Sequence, residues 1–536
     1  MSSLLVANGV LFSAGVLAEG DAVGVRDGEI VATGTRHEVR GVMGVVDDEL
    51  DARGGLIAPG FVDAHIHLGG GAVDALRCDL AGADSLAEIE RRVRAFAAGS
   101  TASWIVGGGW DPTLFPHSGP TAAHLDALVP DRPALFLDAD HHGAWVNSAA
   151  LRAAGIDHDT PDPFDGRIER SADGTPSGTL REGAMQRVSP LVPPADTVDV
   201  ARALHAISRD VVATGITGWQ EAALGLYAGY PDFSDAYRAL TLAGELVGRA
   251  TGAIWVPRDL TRDTIDAFVA DCVERARANT AAGFPTRTAK LMLDGIIETR
   301  TAHVCAPYPD GSHGLSYFDP AVVQRLVPAL NAAGISVHVH ALADAAVRDA
   351  LDGFAAVPAA VRAGVRNHIA HLELVTPSDI PRFAELGVTA NCQPYWACRN
   401  DLVRDVTLPL LGADRADALY PFASLRRSGA SLAMGSDWPV STFDPWLGVH
   451  VAVTRRPPGE PDAEPLGAAQ ALPLSVALDA YTRGSADLLG LGPGTLDRGA
   501  PADIAIADRN PFAGPADGIH ETRNVHTIIA GELAGG

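Results

Sequence analysis

Apolar positions in this chain fall into short runs, and their rhythm changes twice. The first 60 residues read as short strands broken by turns: LLVANGVLF, AVGVRDGEIVATG, then GGLIAPGFVDAHIHL. Asp27-Gly28, set between apolar runs, is a two-residue hairpin signal. The last stretch returns to this texture in ADIAIAD and NVHTIIAGELAGG. Between them, apolar strands alternate with Ala-, Leu- and Arg-rich helical segments. The strands read as ASWIVGGGW, PALFLDAD, GITGWQEAA, TAKLMLDG, GISVHVHA, VRNHIAHLE, GVTANCQP and ASLAMGSDWP. This alternation predicts an α/β protein, a (β/α)8 TIM-like barrel. A doubly wound sheet is the rival, but its GxGxxG start is missing, and VGGGW at 106–110 does not match it. The expected organisation is a barrel over 61–490, with strand-forming segments at 1–60 and 491–536. An irregular Pro-, Asp- and Gly-rich insertion near 140–200 would suit a substrate lid.

Composition narrows the class. A chain of 536 residues, 47% of them apolar, folds as a globular protein and has room for a large barrel with an accessory domain. The formal charge, 41 − 66 = −25, comes without a basic run, which argues against nucleic-acid binding. Cys78, Cys272, Cys305, Cys392 and Cys398 are odd in number and never form CxxC, so a disulfide framework or cysteine zinc site is not expected. MSSLLVANGVLFSAG lacks a signal-peptide pattern and no apolar run reaches membrane-spanning length, so the cytosol is the expected compartment.

The chemistry lies at the predicted strand ends. DAHIH places His65 and His67 at i and i+2, on one face of a strand. SVHVHALAD repeats the spacing with His338 and His340, HIAHLE adds His368 and His371, and AMGSDWP ends a strand on Asp437. Imidazoles, a carboxylate and a lysine at the strand ends of one barrel are a ligand set for zinc or a similar divalent metal. The lysine is Lys290, the only one in the chain; every other cationic side chain of that pair is arginine. A solvated charge accepts either residue, whereas a site needing a deprotonatable amine cannot use arginine.

These segments, in this order, resemble the metal-dependent amidohydrolase superfamily, in particular the branch of N-substituted formamide deformylases (amidohydrolase family 3, YtcJ-like). GLIAPGFVDAHIHL resembles that family's entry into the first barrel strand. HHGAWVNSAAL and SGTLREGAM resemble segments of the branch, and KLMLDG…TRTA, HALADAAV, HLELV and GSDWP follow in family order. The resemblance implies that both chain ends combine into a small β-sandwich, and it points to a homodimer. It implies one or two Zn2+ ions, with His65, His67 and Asp437 on the more buried one and His340 and His371 on the other. Lys290 falls where relatives often carry a bridging N6-carboxylated (carbamylated) lysine.

The reaction implied is hydrolysis of a non-peptide C–N bond in a small-molecule amide, an N-acyl or N-formyl amine, by a metal-bound hydroxide. Asp437 would shuttle the proton and His142 would orient the carbonyl or stabilise the oxyanion. Trp110, Trp145, Trp219, Gln393, Tyr395 and Trp396 are candidate pocket-lining residues. Glu298 joins them, because DGIIETRTA departs from the Gly- and Ser-rich run of relatives. Cyclic-amide or lactone hydrolysis and deamination are the alternatives within the superfamily, and Lys290 weighs against deamination. A non-catalytic metal-binding regulator is the alternative outside it.

Overall fold

A computed structural model describes residues 3–116 and 118–534. Eight parallel strands lie side by side in chain order: β1 (Phe61–Ile66), β2 (Ile216–Leu224), β3 (Arg249–Trp255), β4 (Thr288–Met292), β5 (Ser336–Ala341), β6 (His368–His371), β7 (Thr389–Cys392) and β8 (Leu432–Met434). They are buried on both faces, as strands covered by crossover helices must be. Two of those helices show why the connecting segments are helical. Thr197–Ala213 is capped by the Asp196 carboxylate and buries Val200, Leu204, Val211 and Val212 on one face. Pro320–Ala332 is capped by Asp319, opens with Pro320 and buries Val323, Leu326, Val327 and Leu330.

Among the described residues no strand ladder joins β8 back to β1. The seam is shut just beyond the end of β8, where Asp437 N donates to His65 O (2.7 Å) and His67 N to Trp438 O (2.8 Å). Asp63, fully buried, accepts from Ser436 N and His65 N and ties the two edges further. Gly435 permits the approach: a Cβ there would stand 2.5 Å from His65 N.

Two of the segments read as barrel strands lie elsewhere. Ile105–Trp110 and Ala134–Asp138 belong to a separate six-stranded sheet, completed by Cys78–Asp79, Gly143–Val146, Gly166–Arg170 and Pro176–Glu182. The barrel takes Phe61–Ile66 and Arg249–Trp255 in their place. An apolar run specifies burial, not which sheet it joins. The excursion from the barrel therefore starts well before residue 140 and is ordered sheet, because its Pro, Asp and Gly residues mark turns between strands.

The chain ends form two further sheets. One pairs Ser3–Ala7, Ala22–Arg26, Glu29–Gly34 and Asp48–Asp51. The other joins Val10–Ser13, Val16–Leu17 and Leu56–Pro59 to Ile504–Ala507, Asn524–Ile529 and Glu532–Ala534. The hairpin expected at Asp27-Gly28 has both residues at positive φ, 51° and 83°, with Arg26 facing Glu29. One apolar cluster, including Val6, Val23, Ile57, Ile504 and Ile528, runs between the sheets. Among the described residues no helix is long and apolar enough to cross a membrane.

Candidate metal centre and active-site cleft

The C-terminal strand ends deliver the candidate ligands. His65 and His67 both aim Nε2 at Asp437 Oδ1, at 3.1 and 3.4 Å. His371 Nδ1 lies 3.9 Å from Asp437 Oδ2. Ligand atoms of His65, His371 and Asp437 fall within 4.8 Å of one another. Asp437 and His371 hold positive φ, 61° and 77°, which non-glycine residues seldom adopt. His371 is anchored by its backbone N donating to Gln393 Oε1 at 2.7 Å. The His340 ring packs 4.3 Å from that of His371. Its Nδ1 sits 3.3 Å from Asp294 Oδ1 without hydrogen-bond geometry, and Asp294 accepts the amides of His303, Leu342 and Ala343. Lys290, paired in register with His338, brings Nζ to 3.4 Å from His65 Nε2 and 3.5 Å from His338 Nε2.

Burial sets the protonation states. It drives the Lys290 amine down to about 7, against the pull of Asp437. Burial alone would raise Asp437, but the imidazoles of His65 and His67 hold its carboxyl well below the usual range. Burial also pushes His65, His340 and His371 down. Neutral imidazoles around an ionised carboxylate are the state that metal binding requires. His371 Nε2 and His340 Nδ1 are moreover buried without a hydrogen-bond partner. Lone pairs withdrawn from water and left unmatched are costly, so the residues present fit a divalent cation.

His142 approaches from the excursion sheet. Its Nδ1 is 2.7 Å from Glu182 Oε1, and its ring centre is 5.9 Å from that of His340. Burial opposes its charge, but Glu182 raises it to about 9. Glu182, despite its own burial, is held at about 2 by His142 and Arg258. A fixed cation thus stands at the cleft wall at neutral pH.

The cluster divides the cleft into two lobes sharing His142, His340, His371 and Asp437. One, about 650 Å3, is walled by Tyr227, Tyr230, Phe233, Trp255 and Met292. The other, about 640 Å3, is lined by Glu298, Glu373, Gln393, Trp396, Leu402 and Tyr420. Asp140, Ile296, Glu298 and Leu402 also border an outer chamber of about 1820 Å3. Glu298 accepts a short hydrogen bond from Thr407, while Arg300 pairs with Asp310 instead.

The expected tryptophans are redistributed. Trp145 and Trp219 are fully buried away from the lobes, with their N–H groups donating to Thr121 O and Tyr237 Oη. Neighbours on a strand face opposite ways, so Trp219 faces the helices while Gln220 faces into the barrel. Trp110, its N–H bonded to Phe136 O, borders only the outer chamber. Tyr395 packs edge-on to Trp396, outside both lobes. Sequence reasoning missed Tyr227, Tyr230 and Phe233, which carry no motif signal, and Asp294, whose place in LMLDG at a strand end was the available cue.

The amidohydrolase family model matches residues 48–534. The chain belongs to this family. It is accordingly a hydrolase acting on carbon–nitrogen bonds. It is 29% identical to a putative amidohydrolase of Bacillus subtilis (strain 168), YtcJ, over 97% of each chain. It is 28% identical to an N-substituted formamide deformylase of Arthrobacter pascens, over 96% of this chain and 94% of that one. Among solved structures, an uncharacterized metal-dependent hydrolase from Pyrococcus horikoshii OT3 superposes with a TM-score of 0.72 at 22% identity, over 96% of this chain and 99% of that one. That likeness establishes the shared fold of this amidohydrolase.

Proposed function

We propose that this protein hydrolyses the amide bond of an acyclic N-acyl or N-formyl amine with the aid of one or two zinc ions. The observation that carries the reading is the convergence of His65, His67, His371 and Asp437, with His340 and Lys290 beside them, on a cleft with two lobes. His65, His67, His371 and Asp437 would hold a cation, with His340 and an N6-carboxylated Lys290 available to a second. When bound, such an ion supplies Lewis-acid polarisation of a carbonyl and lowers the pKa of water.

The chain's own residues do the rest. The lobe walled by Tyr227, Tyr230, Phe233 and Trp255 takes an apolar substituent by area burial. The substrate carbonyl then faces the shared wall, where protonated His142 stabilises negative charge developing on its oxygen. Asp437, ionised and aimed at the cluster, accepts a proton from the attacking water and returns it to the departing amine nitrogen. The relative named as an N-substituted formamide deformylase supports this substrate class.

The test is amine release from N-formyl, N-acetyl and larger N-acyl amines, with zinc-loaded protein beside a chelated control. Chelator-sensitive release from one series supports the reading and shows the acyl preference. No release from any member, with metal confirmed bound, removes acyclic amides in favour of cyclic amides, lactones or deamination substrates.

A further inference from the structure

One layer below the cleft, His338 on β5 and Gln220 on β2 make a chain of contacts with His65. His338 is fully buried. Its Nε2 lies 2.9 Å from His65 Nδ1 and its Nδ1 lies 2.9 Å from Gln220 Oε1. Gln220 Nε2 donates to Thr288 Oγ1 at 3.3 Å. Lys290 Nζ stands 3.5 Å from His338 Nε2, and the His368 ring packs 4.2 Å from that of His338.

Each link in this chain needs one hydrogen. An amide oxygen only accepts, so His338 Nδ1 carries the proton. An imidazole with one N–H that spends its hydrogen at Nδ1 has none at Nε2. His338 Nε2 is therefore bare and accepts, which places the hydrogen of His65 on Nδ1. With a cation in the site, His65 Nε2, the atom 3.1 Å from Asp437 Oδ1, can then present its lone pair to it.

We propose that Gln220 and His338 are positioning residues that fix the tautomer of His65, making Nε2 its metal-binding atom. This rests on the metal reading of the cleft. The opposite arrangement, with the Gln220 amide reversed, would hand protons the other way and leave His65 Nε2 as a donor to Asp437, unable to bind a cation. The two arrangements make opposite demands on position 220.

The test is the apparent zinc dissociation constant of the full chain, measured by competition with a chromogenic chelator. It compares wild type with Gln220→Leu, His338→Phe and His65→Ala, each checked for folding by its metal-free thermal transition. His338→Phe is expected to weaken zinc by about 10–100-fold, as loss of an outer partner of a metal-bound histidine does. Gln220→Leu, which removes the acceptor at His338 Nδ1, is expected to weaken it as well, whereas under the opposite arrangement it would tighten it. Wild-type or tighter affinity in Gln220→Leu overturns the relay. If His338→Phe does not fold, Gln220→Leu decides alone. Wild type binding no more tightly than His65→Ala overturns the metal reading itself, a result separable from failure of the relay.

Discussion

Between the sheets built from the chain ends, the interior is filled by Val6, Val23, Ile57, Ile504 and Ile528. Inside the barrel the equally buried positions are Asp63, His65, Gln220, Lys290, His338 and His368. The first interior is held by apolar area removed from water, and many side chains of similar volume would serve it. The second must match donors, acceptors and protonation states one by one. Stability and chemistry are thus housed in different parts of one chain, and substitutions should separate them.

The sharpest separation should come from Asp437→Ala. We expect turnover to fall by about 10^2–10^4-fold, the range for a proton-transfer group, in a protein that still folds. An active variant at neutral pH would place the proton shuttle elsewhere. Lys290→Arg should come next: a folded protein that has lost most of its metal and turnover, since guanidinium cannot become a neutral amine. Full metal content and rate in that variant would exclude a carboxylated lysine.

Ile57→Ala should do the reverse, lowering stability by about 2–5 kcal/mol while leaving the rate per folded molecule intact. A changed kcat/KM would show that the two interiors are coupled. The smallest effect concerns His142 and Glu182. His142 at about 9 lies above its ordinary 6.5, so the stability it gains is complete below 6.5 and disappears as pH rises through 9. Glu182 at about 2 lies below its ordinary 4.5, so its gain is present above 4.5 and lost as pH falls through 2. The melting-temperature gap between wild type and Glu182→Gln should therefore be constant between pH 4.5 and 6.5, shrink as pH rises from 6.5 to 9, and be largely gone above 9. A gap independent of pH would mean that the pair is not ionic.

Periodicity and punctuation made the barrel legible, because buried parallel strands and their helices differ in length and composition along the chain. The ligand candidates were legible for a local reason: HxH and strand-end Asp patterns compress the geometry into a few residues. Sheet membership was not, and Ile105–Trp110 and Ala134–Asp138 read like barrel strands because both sheets bury similar runs. Nor was the facing of single aromatics, since moving one place along a strand sends Trp219 to the helices and Gln220 to the centre. The partnership of Gln220 with His338 spans 118 residues and has no signature short of the fold itself.

The bonds that shut the barrel are made by the backbones of His65, His67, Asp437 and Trp438, the same stretch that carries the candidate ligands. During synthesis His65 leaves the ribosome long before Asp437 is made. Until that late segment arrives, neither a closed barrel nor the ligand set exists. A chain that stops short of Asp437 therefore has the imidazoles and Lys290 but not the carboxylate that completes the site. Chemistry begins when the ring closes.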